Sequence, residues 1–225
     1  TEFGFSTFEG LRAFTRQEQY QNFALSRSMA KSYGLYDKYI FYCFADRARR
    51  DNLEENWGII DWYAASENPY AAKESFLGTT AFNYFINQNA DVKDVVEEDS
   101  VYSFHYYNND LKKDVLHLQS HNTEINMSGG CKKNYKLGCS SIDVYDAFGN
   151  RINTVYSDNG EYSFVLTDEP IYVTGNFTEF EVTEYAPFVA PERIEINGSG
   201  GDIVSLKLKK HTDKNLTLQV EDVVE

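Results

Sequence analysis

Apolar and polar positions change rhythm once along the chain, near residue 97. Before that point two helical stretches alternate with short strand-like runs. Residues 1–5 read as the end of a strand entering a loop. Thr15-Arg-Gln-Glu18 is a capping-box pattern, in which hydroxyl and carboxylate satisfy helix-end N–H groups reciprocally, so a helix is predicted to start there. Tyr20, Phe23, Ala24, Arg27, Ala30 and Tyr33 follow at helical spacing, with the aliphatic stem of Arg27 covering the stripe, and Gly34 supplies a left-handed stop. Residues 38–44 form a continuous aromatic and β-branched run, the character of a strand buried on both faces in a parallel sheet, and a polar loop over 46–56 follows. Asn68-Pro69 predicts a cap and first-turn proline for a second helix, with Ala72, Phe76, Thr80, Ala81 and Tyr84 on one face. Strand, helix, strand, helix makes two βα units, too few to close a barrel or a doubly wound sheet alone.

After residue 100 the period becomes that of strands, near 101–107, 114–119, 142–145, 152–156, 161–166 and 170–174. Asn108-Asn109-Asp110, Gly149-Asn150 and Asp158-Asn159-Gly160 punctuate them, and Asn-Gly between apolar alternations signals a hairpin because both central residues need positive φ. This half reads as an antiparallel β-sandwich. Past Phe180 the chain turns acidic and proline-marked, which predicts a linker over 183–193. Alternation resumes over 194–225 as the first strands of a further β module, too short to fill a core. The fold class expected is α/β followed by all-β.

Composition narrows the choice of partner. Hydrophobic residues make up 42% of the 225 and aromatics 16%, enough bulk to offset chain entropy, which excludes a disordered acidic tail. With 21 bases against 35 acids the net charge is −14, so no basic excess exists to neutralise the phosphates of nucleic acid or an anionic membrane. The longest apolar run, Tyr39 to Ala45, falls far short of the ~20 residues of a membrane helix, so no membrane span is expected. Cys131 and Cys139 enclose a glycine-containing polar stretch that suits a closed turn and a disulfide; three reduced thiols fit the sequence equally. Sequons begin at Asn126, Asn176, Asn197 and Asn215, a pattern that Asn-rich turns also produce by chance. The chain starts at Thr1 without an initiator methionine, and is expected to be a piece of something longer.

One order of segments carries chemistry. Thr-Glu-Phe-Gly-Phe-Ser-Thr at 1–7, the capped helix, Tyr-Ile-Phe-Tyr-Cys-Phe-Ala-Asp at 39–46, Glu-Glu-Asn-Trp-Gly-Ile-Ile at 54–60 and Tyr-Ala-Ala-Lys-Glu-Ser-Phe at 70–76 succeed one another. Together they resemble the last quarter of a clan A glycoside hydrolase (β/α)8 barrel, most like family 39. In that family a TE-x-G strand end bears the nucleophile, a later strand ends in Tyr-x-Phe-x-Asp, and Asn-Trp/Phe-Gly-Ile precedes the final helix. Asp-Val-Tyr-Asp-Ala-Phe-Gly-Asn at 143–150 and Glu-Pro-Ile-Tyr-Val-Thr-Gly at 169–175 resemble the β-sandwich that commonly packs beside such barrels. The resemblance covers roughly residues 1–182 and implies a barrel end over 1–97, a β-sandwich over 98–182, and barrel strands lying upstream of this chain.

Carried over residue by residue, the resemblance makes Glu2 the nucleophile of a retaining mechanism. Such chemistry needs two carboxylates roughly 5–5.5 Å apart, and the acid/base glutamate is expected on an earlier strand, so this chain alone is expected to be inactive. Tyr42, Phe44, Asp46 and Trp57 lie at or after the next strand end. Aromatic faces there would cover the C–H surface of a sugar and the acid would bind its hydroxyls, although Tyr42 and Phe44 also fit as barrel core and Trp57 as loop packing. Arg47, Arg49 and Arg50 are read as surface partners of Glu54 and Glu55 before a site for acidic sugar. His117 and His121 lack the glutamate of a helical zinc motif, and the Gly198–Gly201 run opens no helix, so neither metal, phosphate site nor cofactor is expected. The expected function is cleavage of glycosidic bonds in a polysaccharide or oligosaccharide by a secreted or surface hydrolase. The alternative is a non-catalytic carbohydrate-binding or adhesive extracellular β-sandwich protein.

Overall fold

A computed structural model describes residues 2–8, 10–11, 13–35, 39–47, 55–61 and 71–187. Strand β1 (Glu2–Phe3) pairs in parallel with β2 (Ile40–Phe41), Glu2 opposite Ile40, and helix α1 (Arg16–Ser32) separates them in sequence. Thr15 caps α1 as the pattern requires: its Oγ1 accepts from the Glu18 N–H at 3.0 Å and the Glu18 carboxylate accepts from the Thr15 N–H at 2.7 Å. Gly34 ends it at φ +61°. Strand β2 is shorter than the apolar run predicts. Two ladder pairs cannot bury both faces of a segment, and Ile40 and Phe44 are 52% and 64% exposed. Among the described residues just beyond β2, single bridges continue, Ala45 to Ile60 in parallel and Ile60 to Ala72 antiparallel.

The second helix, α2 (Glu74–Phe85), begins at Lys73, and Asn68-Pro69 lies outside the described residues. Its buried side is Ser75, Gly78, Ala81, Phe82 and Phe85, whereas Ala72, Thr80 and Tyr84 of the expected face point outward. Close approach to α1 selects this side. A Cβ on Gly78 would stand 3.3 Å from Tyr20 Cβ, and Ser75 Oγ donates to Gln19 Oε1 at 2.7 Å. Small and polar residues at such a seam are invisible to a search for apolar periodicity. Arg27 is drawn into the same seam, its guanidinium 4.0 Å from the centre of the Phe82 ring, and burial lowers its pKa to about 10.

The remaining elements are β3 (Ala90–Glu98), β4 (Val101–Asn108), β5 (Lys113–Ser120), α3 (Thr123–Met127), β6 (Cys131–Lys136), β7 (Ser141–Tyr145), β8 (Arg151–Tyr156), β9 (Glu161–Leu166), β10 (Ile171–Gly175) and β11 (Glu181–Pro187). They form two antiparallel sheets, a six-stranded one in the order β3-β4-β5-β10-β7-β8 and a three-stranded one in the order β11-β6-β9. Alternation along the six-stranded sheet divides its side chains between two cores. Tyr102, Phe104, Tyr106, Val115 and Tyr172 meet Leu25, Phe82, Phe85 and Ile86 of the helical side. Val101, Leu116, Leu118, Val144 and Val173 meet Tyr135, Tyr162 and Leu166 of the three-stranded sheet.

Three strands depart from the sequence reading. Strand β3 is an edge strand whose charged residues face solvent, which masks its period. Residues 131–136 form β6 rather than part of a closed turn, with Cys131, Lys133 and Tyr135 turned inward; the Lys133 ammonium is wholly buried 3.6 Å from Glu98. Residues 183–187 belong to β11, where a linker was expected, because they pair with β6. The segment 194–225, read as a further β module, lies outside the described residues.

Candidate functional site

The ends of β1 and β2 meet the 55–61 segment, and two glycines set how closely. A Cβ on Gly4 would lie 2.4 Å from the Tyr42 carbonyl oxygen and 2.7 Å from Trp57 Cε3, so only glycine admits the indole at this point, two residues past Glu2. The Tyr42 and Trp57 rings stand edge to face with centres 6.3 Å apart. The Tyr42–Cys43 peptide bond is cis. A Cβ on Gly58 would come within 2.2 Å of the Asp46 backbone nitrogen. The structure thus gathers the backbone beyond Glu2, Tyr42 and Trp57, while Phe44 projects into solvent.

Asp46 has a different surrounding from the one its position suggests. Its side chain is buried, and the Lys73 ammonium lies 2.8 Å from Oδ1 and 2.7 Å from Oδ2. Oδ1 also accepts from the Gly58 N–H at 2.7 Å. Burial pushes the Asp46 carboxyl up and the Lys73 ammonium down, and their mutual contact opposes both shifts. The Asp46 carboxylate thereby ties the stretch after β2 to Gly58 and to Lys73. Lys73 Nζ also donates to Thr7 Oγ1 at 2.8 Å.

Backbone pairs close the same junction. The Thr7 N–H donates to the Asn56 carbonyl at 2.9 Å, the Asp46 N–H to Ile60 at 2.8 Å, and the Arg47 N–H to Glu55 at 2.6 Å. Gln19 of α1 is wholly buried beneath them; its amide donates to the carbonyls of Phe5 at 2.7 Å and Gly58 at 3.2 Å. Arg16 forms an ion pair with Asp61 beside it. Gln19 has no role in the sequence reading, and Lys73 and Thr7 enter it only as members of the segments 70–76 and 1–7. Lys73 did leave one signal, since a lysine at a helix N-cap neither caps the N–H groups nor suits the positive end of the dipole, so its side chain must serve elsewhere.

Other candidates separate from this junction. Arg47 is exposed, and Arg49, Arg50 and Glu54 lie outside the described residues, as does Gly198–Gly201. His117 is buried against the helices whereas His121 is exposed. Among the described residues no cluster of three or more His, Cys, Asp or Glu could hold a metal. Cys131 and Cys139 are free thiols, the first buried in β6, the second with its sulfur 3.8 Å from Tyr162 Oη. A polar depression of about 400 Å³ opens on the outer face of the three-stranded sheet, lined by Lys132, Asn134, Asn159, Glu161, Tyr162 and Ser163.

The sequence matches no family profile and no curated protein. Solved structures do share the fold. One is a GH30 endoxylanase from Clostridium papyrosolvens C71, 14% identical with a TM-score of 0.50, the match covering 78% of this chain and 41% of that one. Another is Xyn30A from Clostridium acetobutylicum, a glycoside hydrolase family 30 subfamily 8 xylanase, 11% identical with a TM-score of 0.51, covering 77% of this chain and 41% of that one. The chain therefore shares the fold of a part of these two glycoside hydrolases, both of family 30. The chain spans about 41% of the length of each, and at these identities the likeness is one of fold.

Proposed function

We propose that this chain is the carboxyl-terminal part of a retaining glycoside hydrolase acting on a polysaccharide or oligosaccharide, with Glu2 as its nucleophile. The observation that carries the reading is the parallel pairing of β1 with β2 across α1, with Tyr42 and Trp57 gathered against the backbone just beyond Glu2. Parallel strands joined through a helix are what a (β/α)8 barrel is built from, and such enzymes place catalytic groups where these strands end. The two sheets with a shared core would be the β-sandwich beside the barrel.

In the proposed reaction the Glu2 carboxylate attacks the anomeric carbon as the bond to the leaving oxygen breaks. A second carboxylic acid, on a strand outside these 225 residues, gives that oxygen its proton and then activates water to release the sugar from Glu2. Tyr42 and Trp57 would supply the apolar surface for the sugar ring. Asp46 would act behind them. Work on an extracellular polymer would place the enzyme outside the cell, in keeping with the net charge of −14.

Glu2→Gln in the complete enzyme tests this directly. Turnover should fall by several orders of magnitude with sugar affinity nearly intact, and a mechanism-based fluorosugar should label Glu2. Unchanged turnover, or labelling of another carboxylate, removes the assignment. The isolated chain should hydrolyse nothing.

The depression on the three-stranded sheet favours a second reading, a non-catalytic carbohydrate-binding protein. Its amide, hydroxyl, carboxylate and ammonium groups offer donors and acceptors together, as neighbouring sugar hydroxyls require. Glycan binding that survives Glu2→Gln but is abolished by Asn159→Ala, in a complete protein without hydrolytic activity, would select it.

A further inference from the structure

We infer that Lys73 is a positioning residue: its buried ammonium bridges Asp46 and Thr7 and so fixes the mutual placement of the three segments that carry Glu2, Tyr42 and Trp57. The inference rests on the reading of Glu2 as nucleophile and goes beyond it by naming what holds that group in place.

Lys73 Nζ has three polar neighbours at hydrogen-bond distance, Asp46 Oδ1 at 2.8 Å, Asp46 Oδ2 at 2.7 Å and Thr7 Oγ1 at 2.8 Å. Each belongs to a segment that leaves a strand end. Thr7 lies on the stretch that leaves β1 and Asp46 on the one that leaves β2. The third segment enters through the carboxylate, because Asp46 Oδ1 accepts from the Gly58 N–H at 2.7 Å and thereby orients the peptide that follows Trp57. The Trp57 indole in turn abuts Gly4, crowding with the Tyr42 carbonyl the side on which a Cβ would project. The segment beyond Glu2 is therefore held at two points, at Gly4 by Trp57 and Tyr42, and at Thr7 by Lys73 and the Asn56 carbonyl.

Stability alone is a poor explanation for such a pair. Well-packed apolar residues commonly replace a buried ion pair at no cost, whereas apolar side chains have no directional bonds with which to join three loops. A nucleophile must be held to within about 0.5 Å, and a misplacement of about 1 Å can cost roughly a hundredfold in rate.

The test uses the complete enzyme that contains this segment. The double variant Asp46→Leu with Lys73→Met removes both charges together and is expected to keep a melting temperature near that of the parent. Its kcat per titrated active site should fall roughly 10- to 100-fold with KM within about twofold, and the rate of Glu2 labelling by a fluorosugar should fall by the same factor. A merely structural ion pair would leave kcat per active site at the parent value in the folded double variant, and that result overturns the inference. Thr7→Val decides the matter should the double variant not fold. It deletes one acceptor at constant shape, and a kcat reduced about three- to tenfold supports the bridge whereas an unchanged kcat overturns it. Glu2→Gln separates the two readings: activity retained there removes the nucleophile assignment, while an inactive Glu2→Gln beside unaffected bridge variants removes the positioning role alone.

Discussion

Ser28 Oγ lies 2.6 Å from Nδ1 of His117, across the boundary between α1 and the six-stranded sheet. Gln119 selects the tautomer. Its amide nitrogen donates to the carbonyls of Gln21 at 3.1 Å and Asp168 at 2.8 Å, which leaves Oε1 to accept from the imidazole Nε2–H at 3.1 Å. His117 Nδ1 is therefore the acceptor for the Ser28 hydroxyl. Phe104 and Tyr172 stack on the ring and Phe82 meets it edge-on. Complete burial of the ring lowers its pKa to about 3.

A pH dependence of stability follows. In the unfolded chain His117 titrates near its ordinary value of 6.5, and in the folded chain near 3. The folded pKa is the depressed one, so this contribution is complete above about pH 6.5 and is lost as pH falls toward 3, at about 1.4 kcal/mol per pH unit. Urea unfolding at pH 7 and pH 5 should show the parent losing about 2 kcal/mol more than His117→Gln, which has no ring to protonate. Equal losses would mean that the folded chain accommodates the imidazolium.

Two glycine replacements should differ sharply. Gly34 has φ +61° with nothing within 4 Å of an added Cβ, so Gly34→Ala should cost only the left-handed backbone term, about 1 kcal/mol. A Cβ on Gly58 would meet the backbone of Asp46 at 2.2 Å and of Ala45 at 2.4 Å, and neither can rotate away. Gly58→Ala should cost about 3 kcal/mol or more in chemical denaturation. Equal costs would show that the loops after β2 yield readily.

The thiols should separate by access. Cys131 is wholly buried and burial raises its pKa, while Cys139 is only partly buried. Iodoacetamide under native conditions should modify Cys139 and spare Cys131 until denaturant is added, and reductant should leave the mass unchanged. A loss of alkylation sites together with a gain of two mass units on reduction would establish a disulfide instead.

Much of the architecture was legible because its causes are local. The Thr15–Glu18 capping box, the Gly34 stop and the six alternating strands after residue 100 each depend on side chains within a few positions of one another, and each stands where the pattern puts it. The order of segments from 1–7 to 70–76 resembles a clan A glycoside hydrolase, and the two solved structures that share the fold are glycoside hydrolases of family 30. Where neighbours distant in sequence decide, the pattern fell short. Strand β6 hides Lys133 in a core because Glu98 reaches it, and α2 buries Ser75 and Gly78 because α1 passes close. Asp46 reads as a ligand for sugar from its place after a strand end, and folding sets it against Lys73, 27 residues away. A carboxylate is drawn identically in a sequence whether it faces water or an ammonium. Its role is settled by which charges folding brings within 3 Å and how completely water is excluded around them, and neither quantity exists until the chain has packed.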